Sequence, residues 1–530
     1  MERGKEKMKK RRRILSLFSA ACLAITGIVS GAGVQKAEAA ARTEVIDVTD
    51  YGVYPDSGKD SAIGIQKAIA AAKDATKEGK EVKINFPEGR YDIYPDKAIE
   101  RELYVSNTVG ADQNNKMKKI GIFLEDMDHV TVDGNDSLFM FHGKMTTFAT
   151  IGCEDVEFKN FAVDFQVPTV IDMTVESVEG NTATMYIPEC YNYEVAGTTI
   201  KWYSDVSPYT GQRYWSISDL SGYHTQREDT VQGIKFGAGN GNAALKGVAS
   251  IEDLGNHRVK ITYNSKAGEV QNGMCFQSRP TVRDHAGTFF WKSKDIKMTS
   301  LDIQFLHGFG MVGQHSENIT MEDVDFEAPK ESGRTTAGYA DFVQMSGCKG
   351  AININNCTFA GPHDDPINIH GTCSRIMEVL SPTRIKCKFM QDMSEGMEWG
   401  RPDEMIGFIE HNTMRTVATG KMNKFEALNK AEFIIELSAP LPAGVEAGYV
   451  IENLTCTPDA EIRNCHFGSC RARGLLVSTP GKVVIENNIF ESSGSAILIA
   501  GDANAWYESG AVKDVLIRNN DFRYPCNSSI

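Results

Sequence analysis

The chain has 530 residues, 24% of them charged and 41% hydrophobic, with a formal net charge of −14. A single core stops growing at roughly 250–300 residues, so this length implies several modules or one elongated repeat. The acidic balance argues against nucleic acid or anionic lipid as a partner, and mildly against a polyanionic substrate.

Residues 1–13 carry Arg3, Lys5, Lys7, Lys9, Lys10, Arg11, Arg12 and Arg13, and an apolar run from Ile14 to about Val34 ends at Ala37-Glu38-Ala39. That order predicts a signal peptide over 1–39, and hence a secreted, cell-surface or periplasmic protein with no integral membrane association. Nine of the 56 basic and three of the 70 acidic residues lie in it, so the remainder carries −20. Next, Asp60 precedes an apolar stripe at Ile65, Ala68, Ile69 and Ala72, the spacing of an amphipathic helix, and KINFPEGRYDI (83–93) reads as strand, turn and strand. A helix over the first coil would shield the open end of a stack of strands. Residues 47–93 resemble the N-terminal cap of the pectin-lyase-like right-handed β-helix superfamily, which implies that fold and little about chemistry.

Five later segments repeat one pattern, apolar alternation into Asn or Asp and then Phe: NITMEDVDF, AININNCTF, DAEIRNCHF, KVVIENNIF and DVLIRNNDF. The step from Phe467 to Phe490 is 23 residues, from Phe326 to Phe359 is 33, and from Phe490 to Phe522 is 32. Period-two alternation recurring at such intervals predicts an all-β parallel β-helix, with Asn464, Asn487 and Asn519 at the bends. Two stretches break the repeat, 168–288 and 374–458, and read as inserted small antiparallel β-barrels or sandwiches. The predicted order is cap and first coils over 40–167, an insertion, coils over 289–373, a second insertion, and coils over 459–530, ending without a recognisable cap and so expected to be truncated. Cys22 leaves with the signal peptide; the other eleven cysteines show neither CxxC nor zinc spacing, and Cys357 and Cys465 fall on repeat positions that suit small buried apolar residues.

The chemistry concentrates in GPHDDPINIHGT (361–372), where Asp364 and Asp365 lead into a strand, with Asp341 about one coil upstream. Counting from the repeat Phe puts Asp365 and Arg473 on neighbouring rungs, and Asp341 in the same column one rung earlier. Such a column brings carboxylates together at the inter-strand spacing of about 4.8 Å, which raises the pKa of at least one. Splitting a glycosidic bond needs an acid for the leaving oxygen and a carboxylate for water, about 6.5–9.5 Å apart in inverting enzymes and about 5–5.5 Å in retaining ones. We expect Asp341 and Asp365 to activate water and Asp364, pointing elsewhere, to be the acid, with inversion. Arg334, Asn368, His370, Arg473, Trp506 and Glu508 are the substrate-binding candidates, and no residue is assigned to a metal.

An Asp followed a coil later by an Asp-Asp pair resembles the polygalacturonases of glycoside hydrolase family 28, but Tyr339-Ala340-Asp341 replaces their Asn-Thr-Asp, and their Gly-His-Gly and Arg-Ile-Lys motifs are missing. The fuller likeness is to glycoside hydrolase family 110, carried by GRTTAGYADFVQMSGCKG (333–350), AGPHDDPINIHGT (360–372) and the stretch 471–520. It implies an exo-acting inverting hydrolase of terminal α-1,3-linked galactose on branched or linear glycans, without a cofactor. A homodimer is open. The alternatives are another β-helix glycosidase, a calcium-dependent polysaccharide lyase, and a non-catalytic β-helix adhesin.

Overall fold

Alternating apolar residues close the chain into a three-walled parallel β-helix. The computed structural model describes residues 43–108, 116–231, 233–266 and 269–523; the signal peptide expected over 1–39 lies outside them. One wall runs in order through Glu44–Asp47, Val82–Asn85, Asp128–Phe141, Glu154–Phe165, Lys294–Ile303, Glu317–Phe326, Lys349–Asn355, Asp459–Arg463, Lys482–Glu486 and Asp514–Arg518. A second runs from Met117–Glu125 through Thr146–Ile151, Thr288–Trp291, Met311–Gln314, Val343–Ser346, Ile367–Thr372 and Arg473–Val477 to Ser495–Leu498. The third is short, and the recurring phenylalanines lie on it, Phe326 at the end of Glu317–Phe326, which turns the corner from the first wall at Asp323. Phe326, Phe359, Phe467, Phe490 and Phe522 pair in register and stack at centroid distances of 5.3, 5.2, 4.5 and 5.3 Å.

The bend between the first and third walls requires left-handed backbone, which Asn adopts at low cost. Asn356, Asn464, Asn487 and Asn519 hold φ of 53, 56, 59 and 55° there. Just beyond the bend, Cys357 and Cys465 are buried free thiols, as their repeat position predicts. The helix Ala62–Lys77 covers the first coil through Ile65, Ala68, Ile69, Ala72 and Ala75, starting where Asp60 accepts the Ala62 N–H at 2.9 Å. Among the described residues no helix is long and apolar enough to cross a membrane.

Two modules interrupt the coil. The first leaves after Phe165 and returns at Thr288; it holds a seven-stranded antiparallel sheet and a three-stranded one around its own core, which includes Met173, Trp202 and Phe276. The second is a closed six-stranded barrel of Ser374–Ser381, Arg384–Lys388, Met405–Glu410, Arg415–Ala427, Glu432–Leu437 and Val450–Asn453. Both emerge beside the acidic segment, and the first supplies part of its surroundings.

Candidate active site

Ladder register brings the acids together. Val343 pairs with Ile367, and Ile367 with Leu475; two residues before each stand Asp341, Asp365 and Arg473. The main chain holds this entrance, since Phe342 N–H donates to the Asp365 carbonyl and Val343 N–H to that of Pro366, each at 3.0 Å. Gly310 lies beneath it with φ +60°, and a Cβ there would stand 2.0 Å from the Asp341 carbonyl oxygen, so only glycine lets the two rungs close.

The segment before the pair is clamped by the first module. Lys235 Nζ donates to the Pro362 carbonyl at 3.0 Å, Gln226 Nε2 to the His363 carbonyl at 2.5 Å, and buried His363 donates through Nε2 to the Gln277 carbonyl at 3.1 Å. Asp364 and Asp365 thereby diverge. The Asp365 side chain is 1% exposed, its Oδ1 accepting the Arg473 backbone N–H at 2.9 Å and its Oδ2 facing the guanidinium at 2.7 Å. The Asp364 side chain is 23% exposed, with Arg471 at 3.6 Å and Arg279 at 4.0 Å. One oxygen of each of Asp341, Asp364 and Asp365 lies within 4.8 Å of the others, closer than the spacing expected of an inverting pair.

Burial sets the electrostatics. Loss of water, then the charges of Asp365 and Asp364, hold Asp341 well above the ordinary carboxylate range, despite Arg283 and Arg473. Burial and Asp364 raise Asp365 to about 7, against the pull of Arg473. The two buried groups thus retain a proton near neutrality. His224, facing Asp364 from the first module, is pushed down to about 4 by burial and by Arg279 and Arg471, and is neutral.

Glu508 closes the opposite side. It accepts from Asn107 Nδ2 at 3.0 Å and from Asn368 Nδ2 at 3.3 Å, with His370 Nε2 at 3.6 Å. The Asn368 Oδ1, Gln344 Oε1 and Arg473 Nε atoms are buried without a hydrogen-bond partner, a set of acceptors and a donor that a sugar's hydroxyl groups satisfy. Two expectations need correction, those for His370 and Arg334. His370 is a wall residue, accepting from Gln344 Nε2 at 2.7 Å and donating through Nδ1 to the Gly371 carbonyl at 2.7 Å. Arg334 does not reach the cleft: its buried guanidinium makes a two-pronged pair with Asp164 at 2.9 and 2.8 Å, because the first module covers its loop. Trp506 stays 46% exposed in a loop whose turn is tied by Asp502, which accepts the Asn504 N–H at 2.7 Å.

Sequence reasoning did not single out Arg279, His224, Asn107, Gln344 or Arg471. Only Arg471, two residues before Arg473 and so near the same column, carried a usable signal. Among the described residues, two clusters have the spacing to hold a cation, the three aspartates and Asp284–His285–His307. In the second, both rings are already engaged: His307 with Asp284 at 2.6 Å and Thr169 at 2.7 Å, His285 with Asp284 at 3.1 Å and the Lys119 N–H at 3.3 Å, while Lys144 takes the other Asp284 oxygen at 2.6 Å. In the first, Arg279, Arg471 and Arg473 already supply the positive charge.

Two buried carboxyls with a third, more exposed carboxylate, on the wall of a parallel β-helix, are the acid and base equipment that a glycoside hydrolase needs. The α-1,3-galactosidase B of Bacteroides thetaiotaomicron is 51% identical over 496 residues, spanning 92% of this chain and 77% of that one. The α-1,3-galactosidase A of Streptomyces avermitilis is 39% identical over 496 residues, spanning 91% and 78%. A family model described as GLAA-B beta-barrel domain II matches residues 384–451, within the closed barrel. The exopolygalacturonase of Thermotoga maritima overlays 91% of this chain and 78% of its own with 11% identity and a TM-score of 0.36, too loosely to add to the argument. The chain belongs to the α-1,3-galactosidase family.

Proposed function

We propose that the protein, exported by its predicted signal peptide, removes terminal α-1,3-linked galactose from glycans with inversion at the anomeric carbon. The relatives' names supply the sugar and linkage. The observation that carries the chemistry is the trio itself: two buried carboxyls that burial and mutual charge raise above the ordinary range, beside a third, ion-paired with two arginines, that faces the cleft.

That charge distribution gives a closed cycle. At rest the proton sits in the Asp341–Asp365 pair and Asp364 is the carboxylate. When a galactoside excludes water from the cleft, the proton passes to Asp364, which makes an acid of Asp364 and a base of the pair in one step. Asp364 then protonates the glycosidic oxygen as that bond breaks, water held by the pair attacks the anomeric carbon, and the proton lost by water returns to the pair. Protonation states end as they began. The trio is more compact than the usual inverting spacing, and inversion follows from giving both buried carboxylates to the water, which leaves none free as a dedicated nucleophile.

The test is digestion of α-1,3-, α-1,4- and α-1,6-linked galactosides and a fucosylated branched trisaccharide. Free galactose from the α-1,3 linkage is expected; release only from α-1,4 or α-1,6 substrates, or an unsaturated product absorbing in the ultraviolet, would refute the reading.

A further inference from the structure

A cavity of about 490 Å³ opens where the first module meets the early coils, lined by Arg90, Asp92, Tyr94, His142, Gln166 and Asp205 among others. That is within the size range of small-ligand sites, roughly 300–1,000 Å³. His142 leads into the strand Thr146–Ile151, three rungs before Val343–Ser346 in the second wall, so the cavity stands about 14 Å along the helix from the rung of Asp341. It is separate from the hydrolytic cleft but on the same edge of the molecule.

Its walls are fixed. His142 bridges the coil to the module, with Nε2 2.9 Å from Asp92 and Nδ1 2.6 Å from Asp205, while Tyr94 stacks on its ring at 3.7 Å. Arg90 donates through Nη2 to Asp92 at 2.5 Å and to Gln166 Oε1 at 2.8 Å. The module's loop is tied down beside them by Tyr209 to Asp60 at 2.9 Å and Ser207 to Asp96 at 2.7 Å.

What is left over selects the ligand. Asp92 and Asp205 are committed to His142 and Arg90, which disfavours a cation. Asp56 at the rim adds negative charge, which disfavours an anion. Val206 is the one aliphatic side chain in the lining, which disfavours an apolar molecule. Arg90 spends Nε and Nη2 on Asp92 and Gln166, Gln166 spends its amide oxygen on Arg90, and Asp56 spends Oδ1 on the Arg90 backbone N–H, which leaves Arg90 Nη1, the Gln166 amide nitrogen, the Tyr94 hydroxyl and Asp56 Oδ2 for a ligand or water. Donors and acceptors so interleaved match vicinal hydroxyl groups, each of which gives one hydrogen bond and takes another.

We propose that this cavity binds a neutral saccharide unit, a second sugar site that holds another part of the galactose-capped glycan during hydrolysis. The identity of that glycan rests on the proposed reaction. The test is calorimetric titration of the full chain carrying Asp364→Asn with the neutral trisaccharide galactosyl-α-1,3-galactosyl-β-1,4-N-acetylglucosamine. Two binding events are expected. Adding Gln166→Ala, or the milder Tyr94→Phe, should weaken one event about tenfold, the worth of a lost hydrogen bond, and leave the other, and the far-ultraviolet circular dichroism, unchanged. In the otherwise wild-type chain the same substitutions should leave galactose release from a disaccharide unchanged. A single event, or two events that neither substitution touches, overturns the second site. Failure of the wild-type chain to release galactose falls instead on the proposed reaction.

Discussion

Arg473 grips Asp365 twice, through its backbone N–H at 2.9 Å and its guanidinium at 2.7 Å, and so keeps within reach of neutrality a carboxyl that burial alone would drive higher. Replacing it removes a cation whose presence is worth about 1–3 pKa units to an adjacent acid. Arg473→Met is expected to move both limbs of the pH–rate profile to higher pH by about one unit or more, and to cut kcat at neutral pH by about 10²-fold or more. An unshifted profile would mean that Arg473 acts only in packing.

The raised pair makes the folded state hold protons that the unfolded state releases. Asp365 titrates near 7 in the folded chain against 3.8 as the ordinary value, and Asp341 is also raised. Their contribution to stability is therefore present below about pH 4 and lost as pH rises towards about 7. Asp341→Asn lacks one of these groups, so it should be more stable than the wild type at pH 7.5, with the gap closing near pH 4. Thermal melts at the two pH values measure this, and a variant less stable at pH 7.5 would contradict the burial argument.

Asp364 is assigned the proton for the leaving oxygen, so its loss should matter least when the leaving group needs no proton. Asp364→Asn is expected to lose about 10²–10⁴-fold in kcat on a disaccharide, the usual worth of a general acid, and much less on a dinitrophenyl galactoside. Equal losses on both substrates would move the acid role elsewhere in the trio.

The β-helix was legible because it repeats: each Phe meets the Phe of the next coil, so a sequence interval becomes a stack. The Asp341, Asp365 and Arg473 column was legible for the same reason, since register carries a residue's position from one rung to the next. Arg279 and His224 lie on the first module, whose strands obey their own pairing, and no interval in the chain ties them to Asp364. Arg334 and Trp506 sit on loops, where period two says nothing of where a side chain points.

Arg334 gives that limit a direct measurement. With its guanidinium buried against Asp164, Arg334→Ala strands a buried carboxylate and should cost about 3–5 kcal/mol, seen as a lower melting temperature, while KM for a galactoside is unchanged. A raised KM with an unchanged melting temperature would return Arg334 to the substrate.

The stereochemistry of the first product tests the account most directly. Proton NMR of an α-linked galactoside digest, followed before mutarotation, should show β-galactose appearing first, because water attacks opposite the departing oxygen. Initial release of α-galactose would contradict it, since that outcome requires a carboxylate of the trio to form a bond to the sugar.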